Sequence, residues 1–249
     1  MKIATWNLQR PAKSGSKVSP IEQRLKTLNA DILILTETNQ FIDPGPDYKS
    51  FHTAALLTPR SARKKDGVDI SYGPVLYKPG ERRASIYSKY NFIEQLPTFD
   101  PETSTCIKFQ TPLGDLAVYA TIIGVFGNRE QSFKTDLDLQ LTDFENIVSK
   151  KASLDSEPSE PADAAKTNLC IAGDLNITFA DNSYYTKEGR EKLNDAFQTL
   201  ELVNLTAFIP GNIDHIILPE RLIGKKRDVK IWNTDKKISD HVGVAVTVL

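Results

Sequence analysis

Four short polar signatures close apolar stretches of this chain: Trp6-Asn7, Leu35-Thr36-Glu37, Gly173-Asp174-Leu175-Asn176 and Ser239-Asp240-His241. A carboxylate ending a run such as Asp-Ile-Leu-Ile-Leu-Thr-Glu is costly to bury unless a cation or a hydrogen-bond donor compensates it. Several such ends brought together would make a cation site. Ligands of Asn and carboxylate type favour Mg²⁺ or Mn²⁺, whereas Zn²⁺ more typically recruits histidine and cysteine. Taken singly, each residue has a plainer reading: Asn7 terminates a strand, Asp174 bonds a turn and Asp240 caps a loop. The ordered set of four reverses that balance. Cys106 and Cys170 lie inside apolar, strand-like runs and read as buried thiols of a reducing compartment, with no chemical role.

The elements that must position these residues are mostly strands. Apolar runs predict them at about 2–7, 31–37, 51–57, 74–78, 84–88, 105–110, 116–123, 169–174, 213–218 and 242–249. Pro20 to Leu28 reads as a helix, with Ser19 as N-cap, Pro20 in the first turn and Glu22 completing a capping box. Leu137, Leu141, Phe144 and Val148 share one face of a second helix over 133–149, and Leu193, Phe197 and Leu200 of a third over 187–200. Lys151 to Lys166 carries almost no apolar side chains and reads as a flexible surface loop. Mixed strands with intervening helices predict one α/β domain over 1–249, with two packed sheets covered by helices.

The chain holds 249 residues, 40% hydrophobic and 25% charged, with a formal net charge of −1. A general nucleic-acid binder usually carries a basic surplus, which is missing here. Local clusters remain at Arg60, Arg63, Lys64 and Lys65, at Arg82 and Arg83, and at Lys225, Lys226 and Arg227. They read as solvated loops or as a cationic rim around an acidic centre. No apolar run approaches the ~20 residues of a membrane helix, and no secretion leader is visible. The expectation is a cytoplasmic monomer without a membrane partner.

The ordered set resembles the endonuclease/exonuclease/phosphatase, or DNase I-like, family. Along the chain stand an N-terminal strand ending in Trp6-Asn7, a strand ending in Glu37, the Ala84-Ser85-Ile86-Tyr87-Ser88-Lys89 run, Gly173-Asp174-Leu175-Asn176, Ile213-Asp214-His215 and Ser239-Asp240-His241. Any one of these is weak, whereas the order is specific. The resemblance implies a four-layer α/β sandwich with two central mixed sheets flanked by helices. It implies metal-dependent hydrolysis of a phosphodiester, most simply in DNA or RNA. Glu37 would be the principal ligand of Mg²⁺ (or Mn²⁺), with Asn7 and Asp240 beside it. Asp174 would orient or deprotonate the attacking water, and Asn176, placed on the same side by strand alternation, would bond a phosphoryl oxygen. His241 would contact the phosphate or transfer a proton, oriented by Asp214. His215 and His52 read as packing residues.

The sequence departs from the family where many members have Thr-His: here the residues are Thr121-Ile122, and an isoleucine side chain donates no hydrogen bond. Tyr119, Asn128 or Arg129 are the candidates to replace that contact. Gln9 stands where some nucleases place a carboxylate, which predicts weaker metal binding. Arg83 and Lys89 resemble positions near substrate, and Tyr184, Tyr185 and Trp232 are candidates to stack a base. A phosphoesterase of small-molecule or lipid phosphates, and a weakened member that only binds phosphate ligands, stay open as alternatives.

Overall fold

The computed structural model describes residues 1–56, 63–65, 68–70, 77–124, 133–149, 166–224 and 227–248. The first sheet is built from β1 (Lys2–Asn7), β2 (Ile32–Asn39), β3 (Lys49–His52), β6 (Glu81–Ser88), β13 (Arg227–Trp232) and β14 (Gly243–Val248), in the order β13-β14-β1-β2-β6-β3. The second contains β7 (Asn91–Leu96), β8 (Ser104–Thr111), β9 (Gly114–Ile122), β10 (Asn168–Asp174), β11 (Leu202–Asn204) and β12 (Asp214–Pro219), in the order β11-β12-β10-β9-β8-β7. Each sheet is mixed: β1 runs parallel to β2 but antiparallel to β14, and β10 parallel to β9 but antiparallel to β12. A separate two-stranded ribbon pairs β4 (Arg63–Lys65) with β5 (Val68–Ile70). Helices α1 (Val18–Leu28), α2 (Phe133–Ser149) and α3 (Lys187–Thr199) complete the described elements.

Side-chain alternation explains the layering. Along β1, Ile3 points into the layer between the sheets with Ile34, Ile86, Phe109, Val118, Ala172 and Ile216. Ala4 and Trp6 face outward onto Ile21, Leu25 and Leu28 of α1. On the second sheet, Tyr119 and Ile171 face outward onto Leu137 and Phe144 of α2 and Leu193 and Phe197 of α3. Helix, sheet, sheet and helix make the predicted four-layer α/β sandwich.

Most predicted strands fall within two residues of their observed bounds. The run predicted from Phe51 to Leu57 ends as a strand at His52, because Ala54 N turns to donate to Pro101 O (2.6 Å). Within the two large sheets three strands had no clear apolar signal: β7 and β13 are largely exposed edges, and β11 spans three residues. Helix α1 begins at Val18, so Ser19 lies inside it, and Lys17 stands at the N-cap without a side-chain bond. Glu22 accepts instead from Asp43 N (3.0 Å). A missing cap costs about 1 kcal/mol, while burying Ile21, Leu25 and Leu28 contributes roughly 1.5–3 kcal/mol each, so packing decides where this helix sits. The 151–166 loop (Lys166 apart) and most of 74–78 lie outside the described residues.

Candidate active site

Strand direction alone gathers the polar signatures at one rim. Asn7 ends β1, Glu37 lies near the end of β2, and Asp174 ends β10. β12 and β14 run antiparallel to these, so Asp214 at the start of β12 and Asp240-His241 just before β14 arrive at the same rim. Asp174 and Asp214 are directly paired across β10 and β12.

The side chains interlock. Asn7 Nδ2 donates to Asp174 Oδ2 (3.1 Å), and Asn7 Oδ1 accepts from Gln9 N (2.9 Å). A carboxylate on one side and an N–H on the other fix the orientation of this amide. Asp174 Oδ1 accepts from Asn176 N (2.9 Å), and Asn176 Nδ2 donates to Ile123 O (2.8 Å). His241 Nδ1 lies 2.6 Å from Asp214 Oδ2, and its Nε2 lies 3.8 Å from Asp240 Oδ1. The carboxylate therefore accepts from Nδ1–H and leaves Nε2 as the working nitrogen.

Electrostatics shift Asp174 and His241 in the same direction. Burial and the neighbouring Asp214 carboxylate raise the pKa of Asp174, against the charge of His241 and the donors Asn176 N and Asn7 Nδ2. At His241 burial opposes the charged form, yet Asp214, Asp174 and Asp240 outweigh it and the pKa is raised. The arrangement pairs a carboxyl group held toward its protonated form with an imidazole held toward its cation, the perturbation expected of proton-transfer partners.

Glu37 is half-buried, and no hydrogen bond or ion pair reaches its carboxylate from the described residues. Its φ of 42° is unusual for a non-glycine residue, and Gln9 (55°), Arg10 (56°) and Asn176 (53°) share this left-handed conformation at the same rim. Such outliers concentrate where a site over-determines its backbone. Asp214 Oδ1 is a second buried acceptor without a partner among the described residues. Orphaned acceptors of this kind fit a cation. Among the described residues no group of three His, Cys, Asp or Glu is placed to hold a metal ion.

Several expectations change. Asn176 does not follow strand alternation: Asp174 and Asn176 are joined by a side-chain-closed turn with the backbone left-handed at Asn176. Tyr119 is fully buried, its hydroxyl 2.8 Å from Asp143 Oδ2, and it packs against Phe144. It faces the helical layer and cannot replace the missing histidine. Arg83 is 1% exposed, with its guanidinium over the Tyr77 ring. It lies at the level of Glu37, between the Thr36–Ala84 and Thr38–Arg82 pairs. Lys89 follows the other end of the same strand and sits over Tyr48, at the opposite rim. Trp232 is buried edge-on against Trp6, while Tyr184 and Tyr185 are exposed. Asn128 and Arg129 lie outside the described residues.

One positioning residue, Asn233, had no signal in the sequence, and two, Trp6 and Ser239, stood inside the signatures without a role. Trp6 Nε1 donates to His241 O (3.1 Å). Asn233 Nδ2 donates to Ser239 O (2.8 Å) and His241 O (2.7 Å). Ser239 Oγ donates to Asn7 O (2.7 Å), tying the His241 loop to β1.

The solved structures this chain resembles share the fold at low identity. An AP endonuclease from Archaeoglobus fulgidus superposes with a TM-score of 0.63 at 14% identity, covering 100% of this chain and 99% of that one. A 3′ phosphatase, NExo, from Neisseria, bound to a product DNA hairpin, gives 0.63 at 14% identity over 100% and 99%. The AP endonuclease LMAP from Leishmania major gives 0.60 at 15% identity over 100% and 87%. No curated protein matches in sequence. The sequence model of the Endonuclease/Exonuclease/phosphatase family matches residues 4–241, a span that holds every interlocked side chain of the rim, and the chain belongs to that family.

Proposed function

We propose that this chain hydrolyses phosphodiesters, in DNA or RNA, with Mg²⁺ or Mn²⁺ as its cation, by in-line attack of a water. The observation that carries this reading is the gathering of Asn7, Asp174, Asp214 and His241 into one hydrogen-bonded set. The structural relatives, AP endonucleases and a 3′ phosphatase bound to a product DNA hairpin, support the substrate class.

Glu37 and Asp240, with the remaining lone pair of Asn7 Oδ1, would hold the cation, which offsets phosphate charge. Asp174, its orientation set by Asn7 and Asn176 N, accepts a hydrogen bond or a proton from the attacking water. Protonated His241 points Nε2–H at a phosphoryl oxygen, and Asp214 stabilises the imidazolium while charge builds on that oxygen. Asn176 keeps one amide hydrogen beyond its bond to Ile123 O to donate to the same phosphate. Buried Ile122 supplies nothing polar, so this set must work without a donor from that position.

The test compares wild type, Glu37→Ala and Asp174→Asn on plasmid DNA, an abasic-site duplex, single-stranded RNA and bis-p-nitrophenyl phosphate, with and without EDTA. Cleavage by wild type alone, abolished by EDTA and restored by Mg²⁺ or Mn²⁺, is expected. Equal cleavage by Asp174→Asn overturns the mechanism. Failure of wild type on all four substrates overturns the nuclease reading.

A further inference from the structure

A second concavity opens on the same rim as the catalytic set. It measures about 580 Å³ and is lined by residues that include His52, Ala54, Leu96, Pro97, Pro101 and Thr105. Its place follows from register. His52 pairs with Ser85, which pairs with Leu35 two residues before Glu37. Ser104, at the start of β8, pairs with Thr121, which pairs with Gly173 beside Asp174. The concavity therefore lies two strands along from Glu37 in one sheet and two strands along from Asp174 in the other, roughly 10 Å at the usual strand spacing.

Its chemistry differs from that of the catalytic centre. None of the described residues lining it is Lys, Arg, Asp or Glu. Its one titratable side chain, His52, is held neutral, because burial and then the Arg82 charge lower its pKa to about 4. Arg82 itself is spent on Gln40 Oε1 and Thr53 O. Thr105 is 3% exposed, and its hydroxyl has no partner among the described residues. By alternation with Ile107, which packs in the inter-sheet layer, Thr105 faces the first sheet. One wall is fixed in advance: Phe99 N donates to Asp143 Oδ2 (2.9 Å) and Ser104 N to Asp100 O (2.9 Å). A preformed, largely apolar hollow of several hundred Å³ is the usual form of a small-ligand site.

We propose that this hollow is a base subsite: it takes an uncharged planar ring, the nucleobase of a nucleotide whose neighbouring phosphate occupies the Asp174–His241 centre. This deepens the nuclease reading and rests on it for the identity of the ring's carrier. Among the described lining residues a charged headgroup finds no counter-ion, whereas a nucleobase offers a π-face to Leu96, Pro97 and Pro101.

The test measures binding, so it does not depend on turnover. In the Asp174→Asn protein with Mg²⁺, fluorescence anisotropy compares a labelled tetrathymidylate with the same strand carrying abasic sugars throughout. On the order of 10-fold tighter binding of the base-bearing strand is expected, as one stacked base would give. Ala54→Trp fills the hollow from an exposed position and should bring the ratio close to one. Gln95→Trp does the same from the opposite wall, and guards against misfolding of the first variant. Thymidine monophosphate as competitor separates the two sources of the ring: displacement at similar concentration assigns the subsite to free nucleotides, and weak displacement assigns it to strands. Equal affinity for both strands in the parent, or a preference that survives both tryptophan variants, overturns the proposal. Loss of cleavage activity in the earlier assay, with the base preference intact, would sink the nuclease reading alone.

Discussion

At the scale of single residues, the site is an exercise in which lone pairs remain. Asp214 commits Oδ2 to His241 Nδ1 at 2.6 Å, and this bond both sets the tautomer and favours the imidazolium. His241→Ala should lower kcat by roughly 10² to 10⁴, the usual range for a placed acid or base, and unchanged turnover would remove His241 from the mechanism. Asp214→Asn keeps the shape but weakens the hold on the imidazolium, so the pH profile of kcat should lose its alkaline plateau before kcat itself collapses at neutral pH. Asn233 acts through the loop that carries His241. Asn233→Ala should reduce kcat with little change in KM, and should cost on the order of 1–3 kcal/mol in urea denaturation for the lost bonds to Ser239 O and His241 O, the second of which keeps Trp6 Nε1.

At the scale of elements, the sequence was most legible where burial is total. Strands β1, β2, β9 and β10 are apolar because both faces are covered, and such runs announce themselves. The outer edges β7 and β13 carry polar, exposed residues and have no comparable signal. The polar strand ends were legible for the same reason, since a charge ending an apolar run is conspicuous. What could not be read was the direction each side chain takes. Tyr119 looked available and faces a helix; Arg83 looked like an edge charge and is enclosed. The turn after Asp174 depends on a glycine for a reason the sequence hides. Gly173 has φ 134°, and a Cβ there would lie 2.0 Å from Thr121 O. Gly173→Ala should destabilise the protein by roughly 2–5 kcal/mol from strain and overpacking together. Urea denaturation would measure it, and a cost below about 1 kcal/mol would show that β9 yields easily there.

At the scale of the whole molecule, the fold is sensitive to acid through His215. His215 is fully buried, its Nε2 2.9 Å from Ile177 O and its Nδ1 3.0 Å from Thr206 Oγ1. The carbonyl requires a proton on Nε2, so Nδ1 accepts from the hydroxyl and the ring is neutral. Burial lowers its pKa from 6.5 to about 4, against the bond to Ile177 O and the Asp214 charge. The unfolded chain therefore binds a proton between these values that the folded chain refuses, and stability falls as pH drops from about 6.5 toward 4. By pH 5 the loss from this group is on the order of 2 kcal/mol. Denaturation at pH 7.5 and pH 5 should show it, and His215→Phe should flatten the difference; an equal acid loss in that variant would place the effect elsewhere.

The placement of β14 has a temporal meaning as well as a spatial one. It lies between β13 and β1, and it pairs Thr247 with Lys2, so the first sheet closes only when residues nearly the full length of the chain apart have met. Asp240 and His241 arrive immediately before that strand. During synthesis, Asn7, Glu37 and Asp174 leave the ribosome before Asp240 and His241. A chain arrested before residue 240 therefore lacks the Asp214–His241 pair. On the proposed reading, late closure would keep unfinished copies from acting on the message that encodes them.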